Sequence, residues 1–273
     1  MGAARRRRWH EYVLQLRQSW SLRSCWSLGG PDIGWADSGG APAAEWHLLT
    51  YSYDGTTTRV YSDGVLQNSE VLGAGVINTH AGFPINVGAQ NTGSGIEPSL
   101  QLSGYVGQVR VHSDVLSDAQ ILTNYNQEVG NYVFGGALPG LFGPDDKPVH
   151  RWSFDNVAGA APDGTVVIDL IGGANGLVRG TGALATGTGI DLPGAPNSVG
   201  SGGTYIDLPN GLISSKTQVT LEGWVSIDGN TNWPRIFDIG SSEGGEITGP
   251  GDTNGGGGSG LDYLMPYHER TQF

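Results

Sequence analysis

The stretch Glu45-Trp46-His47-Leu48-Leu49-Thr50-Tyr51-Ser52-Tyr53-Asp54-Gly55 decides the fold class of this chain. Its side chains divide into two sets, because successive residues of a strand point to opposite faces of a sheet. The Asp54-Gly55 pair that follows favours the positive φ angles of a tight hairpin turn. The sequence therefore predicts a β-strand at 45–53 that ends in a hairpin.

The same alternation of short strands and turns continues outward in both directions. Asp63-Gly64 predicts a second tight turn, between strands at 58–61 and 65–67. Runs of Val, Ile, Leu and aromatic residues bounded by Gly, Pro, Asn and Asp are typical of strands. On that basis further strands are predicted at 32–35, 83–88, 104–111, 150–155, 166–169, 176–178, 205–208, 219–226, 235–239 and 261–265.

A single helix is predicted at 117–128. Ser117 is a good N-cap, and Gln120 three residues later completes a capping box. Ile121, Leu122 and Tyr125 then give one apolar face that packs on a sheet. The predicted fold is therefore all-β, a sandwich of two antiparallel sheets with one short helix.

Composition excludes several classes of function. The chain has 273 residues, 47 of them Gly, and a net charge of −12. Beyond residue 30 the acidity is stronger, with eight basic against 25 acidic residues, so nucleic-acid binding is not expected. No run approaches the ~20 apolar residues of a membrane span, so membrane insertion is not expected either.

Residues 1–30 differ from the rest, being rich in Arg and Trp and containing the only cysteine, Cys25. Three interpretations stand: a strand at 11–17, the accidental start of a shifted reading frame, or an Arg-rich targeting or nucleic-acid segment. Residues 1–8 are basic like the start of a signal peptide, but 9–18 are too polar for its apolar region. No export signal is therefore predicted from these residues.

Two ordered sets of motifs resemble the laminin-G-like jelly-roll domains of large bacterial surface proteins, within the concanavalin A-like superfamily. The first set resembles the C-terminal half of such a domain and the second the N-terminal half. The first comprises Glu45-Trp46-His47, Tyr53-Asp54-Gly55, Tyr61-Ser62-Asp63-Gly64, Pro84-Ile85-Asn86-Val87-Gly88, Gly104-Tyr105-Val106-Gly107 and Val115-Leu116-Ser117-Asp118-Ala119. The second comprises Trp152-Ser153-Phe154-Asp155, Tyr205-Ile206-Asp207-Leu208-Pro209, Val219-Thr220-Leu221-Glu222-Gly223-Trp224 and Ile236-Phe237-Asp238-Ile239-Gly240.

The reversed order of these halves predicts the organisation of the chain. We expect an atypical segment at 1–30, a C-terminal-half segment at 31–128, a Pro- and Gly-rich linker at 129–147 and an N-terminal-half segment at 148–273. Either the chain spans two tandem domains, each cut in the middle, or the halves close on each other as one circularly permuted sandwich. We expect closure, because an isolated half would expose an apolar face and long edges. Residues 1–30 then supply a strand missing between Met265 and Asp32.

Catalysis is not expected from the sequence. Retaining glycoside hydrolysis needs two carboxyl groups about 5 Å apart, and no strand carries alternating acids on one face. Glu243 and Glu246 lie close in sequence, but within a Gly-rich stretch. The six histidines have no zinc-type spacing, and no Gly-x-Ser-x-Gly motif occurs.

Calcium is the expected ligand ion. The resemblance implies a site at the rim of the sandwich, with Asp262 as the acid that opens a strand and Asn78 as the distant partner. Asp252 and Asn254 lie in a Gly-rich loop and could add oxygen ligands, which calcium prefers. An acidic solvated surface is the alternative for these residues.

A glycan or an extracellular protein is the expected partner, at an extracellular or cell-surface location. Trp233, beside Pro234, is the candidate stacking residue, with Asn254 as a second ligand-binding residue, whereas Trp46 and Trp224 are assigned to the core. The expected function is a non-catalytic binding or adhesion module. A purely architectural repeat of a large surface protein is the first alternative, and a glycoside-hydrolase-like enzyme the second.

Overall fold

The computed structural model describes residues 21–25, 33–34, 45–71, 85–89, 101–132, 147–156, 158–194, 204–213, 216–227, 236–240 and 261–267. For 21–25, 33–34, 70, 239–240 and 261–267 it describes the backbone only. Its helix is α1 (Asp118–Tyr132). Its strands are β1 (Ser21–Cys25), β2 (Ile33–Gly34), β3 (Trp46–Tyr53), β4 (Thr57–Ser62), β5 (Val65–Val71), β6 (Ile85–Val87), β7 (Ser103–His112), β8 (His150–Trp152), β9 (Gly159–Ala160), β10 (Val166–Val167), β11 (Gly176–Arg179), β12 (Leu184–Ala185), β13 (Ile190–Pro193), β14 (Tyr205–Leu208), β15 (Val219–Ile227), β16 (Phe237–Gly240) and β17 (Leu261–Tyr267).

The strands form two antiparallel sheets. Sheet A has the order β10-β11-β14-β6-β16-β17-β1-β2, and sheet B has the order β5-β4-β3-β15-β7-β13-β12-β9, with β8 beside β7. One apolar core lies between them, to which Leu49 and Val225 contribute from sheet B and Val87 and Ile206 from sheet A. The all-β sandwich is confirmed, and the described residues contain one helix.

Strands from the two halves of the chain alternate within both sheets. In sheet B, β15 lies between β3 and β7, and in sheet A, β6 lies between β14 and β16. Both segments of the chain therefore contribute strands to the same two sheets. That the halves derive from a permuted domain or from two cut ones stays a prediction.

The N-terminal segment contributes a strand, although at a different place from the one considered. β1 pairs with β17 on one side and with β2 on the other, so it fills the position between Met265 and the strand at 33–34. The alternative strand at 11–17 lies outside the described residues.

The hairpin turn at Asp63-Gly64 has the predicted geometry. Asp63 has φ 52° and Gly64 has φ 79°, the pair of positive angles of a type I′ turn. A Cβ on Gly64 would lie 2.9 Å from the Cα of Leu122, so a larger residue there would push α1 away. The turn therefore both joins β4 to β5 and seats the helix.

Several predicted boundaries are corrected by the structure. The helix continues to Tyr132, so residues 129–132 of the predicted linker are helical. The strand predicted at 150–155 ends at Trp152, because Phe154 adopts a positive φ of 58°. The strands β9, β12 and β13 were not predicted, since they are short and lie between glycine-rich turns.

Candidate functional site

Helix α1 covers part of the outer face of sheet B, the face turned away from the core. It begins with the predicted capping box: the Ser117 amide donates to Gln120 Oε1 at 2.8 Å, and Ser117 Oγ accepts from the Gln120 amide at 3.3 Å. Ile121 then packs in an apolar cluster with Tyr61 and Leu116. The N-terminal end of the helix is thereby fixed on the sheet.

A charged cluster is enclosed between α1 and sheet B. Arg110 of β7 lies between two carboxylates, with Nη1 at 2.6 Å from Glu128 Oε1 of the helix and Nη2 at 3.0 Å from Glu222 Oε2 of β15. Arg110 is 1% exposed, Glu128 6% and Glu222 0%. The three charges are therefore shielded from water and depend on each other.

Three further side chains contact the carboxylate of Glu222. His112 Nε2 lies 3.1 Å from its Oε2, Asn124 Nδ2 donates to Oε2 at 3.0 Å, and Thr50 Oγ1 donates to Oε1 at 3.4 Å. Both carboxylate oxygens are thus engaged by the protein.

Glu128 is held in the same manner. Trp224 Nε1 donates to Glu128 Oε2 at 2.7 Å, and Gln108 Nε2 donates to Oε1 at 3.0 Å. Arg151 Nε in turn donates to Gln108 Oε1 at 3.0 Å. The cluster ties the helix to β7, β8 and β15.

Burial and charge act in opposite directions on the ionisation of this cluster. Burial alone would raise the pKa of Glu222, but the Arg110 charge and the His112 and Asn124 contacts lower it below its usual value. Burial would lower the pKa of Arg110, but Glu222 and Glu128 raise it. The Arg110–Glu222 pair therefore remains ionised at neutral pH.

An aromatic row runs along sheet B from beneath α1 to the surface. Tyr132 stacks on Trp224 at 4.4 Å between ring centroids and lies 5.0 Å from Trp46. Trp46 in turn lies 6.2 Å from Tyr105, with 50° between the ring planes. A Cβ at Gly107 would lie 2.2 Å from Tyr132 Cε1, so a glycine there lets these rings lie against the strand.

The outer end of this row is accessible to solvent. Ser226 of β15 pairs with Trp46 on one side and with Tyr105 on the other, and Tyr105 pairs with Asp191 of β13. Trp46, Tyr105 and Asp191 are each partly exposed, whereas Ser226 is buried. We call Trp46, Tyr105 and Asp191 the aromatic surface.

The outer face of sheet A carries a row of polar residues that is buried from solvent. Asn86 of β6 pairs with Asp207 of β14 and with Asp238 of β16, and all three are at most 3% exposed. Arg179 Nε donates to Asp207 Oδ2 at 3.0 Å. These residues contribute to the structure of the sheet rather than to an open cleft.

Most of the site residues predicted from sequence fall outside the described residues: Asn78, Trp233, Asp252 and Asn254. Asp262 lies in β17 with its backbone opposite Ile239. In the part of the chain that the structure describes, no group of three or more His, Cys, Asp or Glu is arranged to hold a metal ion. The calcium site stays a prediction.

The aromatic surface was missed by the sequence analysis. Trp224 is buried, as assigned, whereas Trp46 is only partly buried and packs against Tyr132, the last residue of α1. Asp191 lies in a strand that was not predicted, although the alternation Ile190-Asp191-Leu192 is a short strand signal.

A family model agrees with this architecture. The model of the concanavalin A-like lectin/glucanases superfamily, laminin G type, matches residues 3–122. This stretch, which is less than half of the chain, is similar to that family. The laminin-G-like match begins within the segment that was set apart at 1–30, and the resemblance of 150–265 stays a prediction. No curated protein and no solved structure matches the chain.

No helix of the described residues is long enough and apolar enough to cross a membrane. Laminin-G-like domains are generally non-enzymatic, often bind other molecules, and are typically extracellular. The similarity of residues 3–122 to this family names no ligand.

Proposed function

We propose that this chain is a non-catalytic binding or adhesion module at an extracellular or cell surface, with a carbohydrate or a protein as its ligand. The laminin-G-like sequence of residues 3–122 supports the binding class. The acidic body supports a partner other than nucleic acid.

The observation that carries the non-catalytic proposal is that Glu128 and Glu222 are both buried and both paired with Arg110. A glycoside hydrolase needs two carboxyl groups that flank its substrate. Here Glu128 of α1 and Glu222 of β15 flank Arg110 instead, between the helix and sheet B, and their oxygens are engaged by protein donors. A sugar could reach them only if the helix left the sheet.

A glycan array, read at neutral pH with and without calcium, tests this proposal. We expect binding to at least one glycan class, with no release of reducing sugar from the bound glycans. Release of reducing sugar would favour the glycoside-hydrolase-like alternative. A folded chain that binds no glycan and no extracellular matrix protein would favour the architectural repeat.

We also propose that calcium assists the module through Asp262, with Asn78 and Asp252 as further ligands. An ion that binds only the folded state stabilises it by about 2.7 kcal/mol at a hundredfold excess over Kd. We expect millimolar calcium to raise Tm relative to chelator, and Asp262→Ala to abolish the rise.

Asp114→Ala is the matched control for that experiment, because Asp114 is an exposed acid on the loop that leads to α1. It should keep the calcium-dependent shift. An unchanged Tm for the wild-type chain, or an equal shift in Asp262→Ala, would remove calcium from the proposal.

A further inference from the structure

We propose that Trp46, Tyr105 and Asp191 form a binding site for the pyranose rings of a neutral oligosaccharide, on the outer face of sheet B next to Tyr132, the last residue of α1. This inference rests on the proposed function, and it selects a carbohydrate ligand and the surface that binds it. None of these three residues is among those expected to hold calcium.

The rings of Trp46 and Tyr105 lie next to each other at an angle. They project from β3 and β7, the two strands that flank β15, and Ser226 lies between them in the register. Their centroids are 6.2 Å apart and their planes differ by 50°. A pyranose presents a face of C–H groups to the electron-rich face of an aromatic ring. Two tilted rings therefore suit successive sugars of a twisted chain better than the flat surface of a crystalline polysaccharide.

The Trp46 ring is already held in place by contacts within the protein when no ligand is bound. Tyr132 lies 5.0 Å from it and is itself stacked on Trp224, which is buried. Gly107 lies beneath the rings of Trp46 and Tyr132, and a Cβ there would be 3.1 Å from Trp46 Cζ3. A side chain that is already ordered loses little conformational entropy on binding, so its contact contributes more to affinity.

Asp191 supplies the polar part of the site. It lies directly opposite Tyr105 in the β7–β13 pair, where Cβ atoms are about 4.5–5.5 Å apart. Its carboxylate can accept hydrogen bonds from the hydroxyl groups of a sugar stacked on Tyr105. Leu184, 46% exposed, lies next along the same row and extends the apolar margin of the surface.

Charge selects among sugars. A carboxylate within the site, on a chain of net charge −12, repels sialic and uronic acids. Neutral hexoses, pentoses and N-acetylhexosamines carry the hydroxyl and C–H groups that the site can engage. We therefore infer neutral oligosaccharides as the ligand class.

Isothermal titration calorimetry with cellohexaose, xylohexaose, mannohexaose and chitohexaose tests the inference on the full chain. We expect at least one of the four to bind. Tyr105→Ala and Trp46→Ala should each weaken that binding by about tenfold or more, the loss typical of an aromatic anchor. Asp191→Ala should weaken it several-fold, and Trp46→Phe should retain most of it.

Leu122→Ala is the control, because Leu122 is 42% exposed on α1 and lies outside the aromatic surface. Trp46 also packs on Tyr132, so its truncation can disturb the fold. Tyr105→Ala and Asp191→Ala decide the question in that case, with circular dichroism as the check on folding.

Each other outcome has a definite meaning. If a hexasaccharide binds but Tyr105→Ala and Asp191→Ala bind it as the wild type does, the site is wrong while the proposed function stands. If none of the four binds but an anionic glycan or a protein does on the array, the inferred ligand class is wrong. If nothing binds in either experiment, both the inference and the proposed function are wrong.

Discussion

Arg110 shows how a single residue can hold two parts of the molecule together. Its guanidinium joins a carboxylate of α1 to one of β15, at an exposed fraction of 1%. Removing one partner of a buried ion pair costs about 3–5 kcal/mol, because a charge is left without compensation. Here two carboxylates, Glu128 and Glu222, would be left.

We therefore expect Arg110→Met to lower the free energy of unfolding by about 3–5 kcal/mol or more, measured by urea denaturation. Arg59→Met is the matched control. Arg59 pairs with Asp54 at 2.7 Å, but both side chains are about a quarter exposed, and such pairs contribute about 0–1 kcal/mol. Equal losses in the two variants would show that the buried cluster has no special role in stability.

This cluster could not be predicted from the sequence. Glu222 lies among apolar residues of β15, and the alternation of that strand indicates only which face it occupies. Its partners are Arg110 of β7 and Asn124 of α1, which are both distant from Glu222 in sequence. The pairing depends on β15 entering between β3 and β7, which no local pattern encodes.

The elements themselves were predictable where local signals were strong. The capping box correctly predicted the start of α1. The Pro- and Gly-rich sequence after residue 128, which includes Gly130, led to a predicted end at 128, whereas the helix continues to Tyr132. Tyr132 packs between Trp46 and Trp224, and this tertiary contact outweighs the low helix propensity of one glycine. Two-residue strands such as β9 and β12 have no periodicity to detect.

Strand β10 is an edge of sheet A whose free hydrogen-bonding groups are covered by one side chain. Asn156 Nδ2 donates to the carbonyl of Val166 at 3.1 Å, and the amide of Ile168 donates to Asn156 Oδ1 at 3.2 Å. Val166 and Ile168 are 45% and 40% exposed. Asn156 thus occupies the positions that the backbone of another strand would take.

We expect Asn156→Ala to increase self-association, because an uncovered apolar edge can pair with another chain. Light scattering and size-exclusion chromatography over a concentration series measure this effect. Gln67→Ala, which removes an amide that bonds only within its own strand β5, is the control. A variant that stays monomeric at the highest concentration would contradict a protective role for Asn156.

At the scale of the whole molecule, the two segments cannot be separated without breaking both sheets. Residues 219–226 of β15 pair along their length with β3, and β15 also pairs with β7. A fragment without β15 would expose the faces and edges that now lie within sheet B. At about 25 cal/mol per Å², a few hundred Å² of exposed apolar area costs on the order of 10 kcal/mol, which matches the stability of a typical domain.

A protease site placed between Tyr132 and Lys147 tests this dependence in the full chain. After cleavage we expect the two fragments to elute together in native buffer and to separate only in denaturant. The uncut chain is the reference for elution and for Tm. Two fragments that elute separately and each melt cooperatively would show that the segments fold independently.

The position of β15 between β3 and β7 also has a consequence for biosynthesis. Strand β7 ends at His112, whereas β15 begins at Val219, so the ribosome releases the neighbours of β15 long before β15 itself. At about 5–20 residues per second, the gap lasts roughly 5–20 s. During that time β3 and β7 have been synthesised, but β15, the strand that lies between them in sheet B, has not. Factors that hold unfinished chains on the ribosome, or a slow rate of translation after residue 132, would therefore change the yield of this protein more than its final stability.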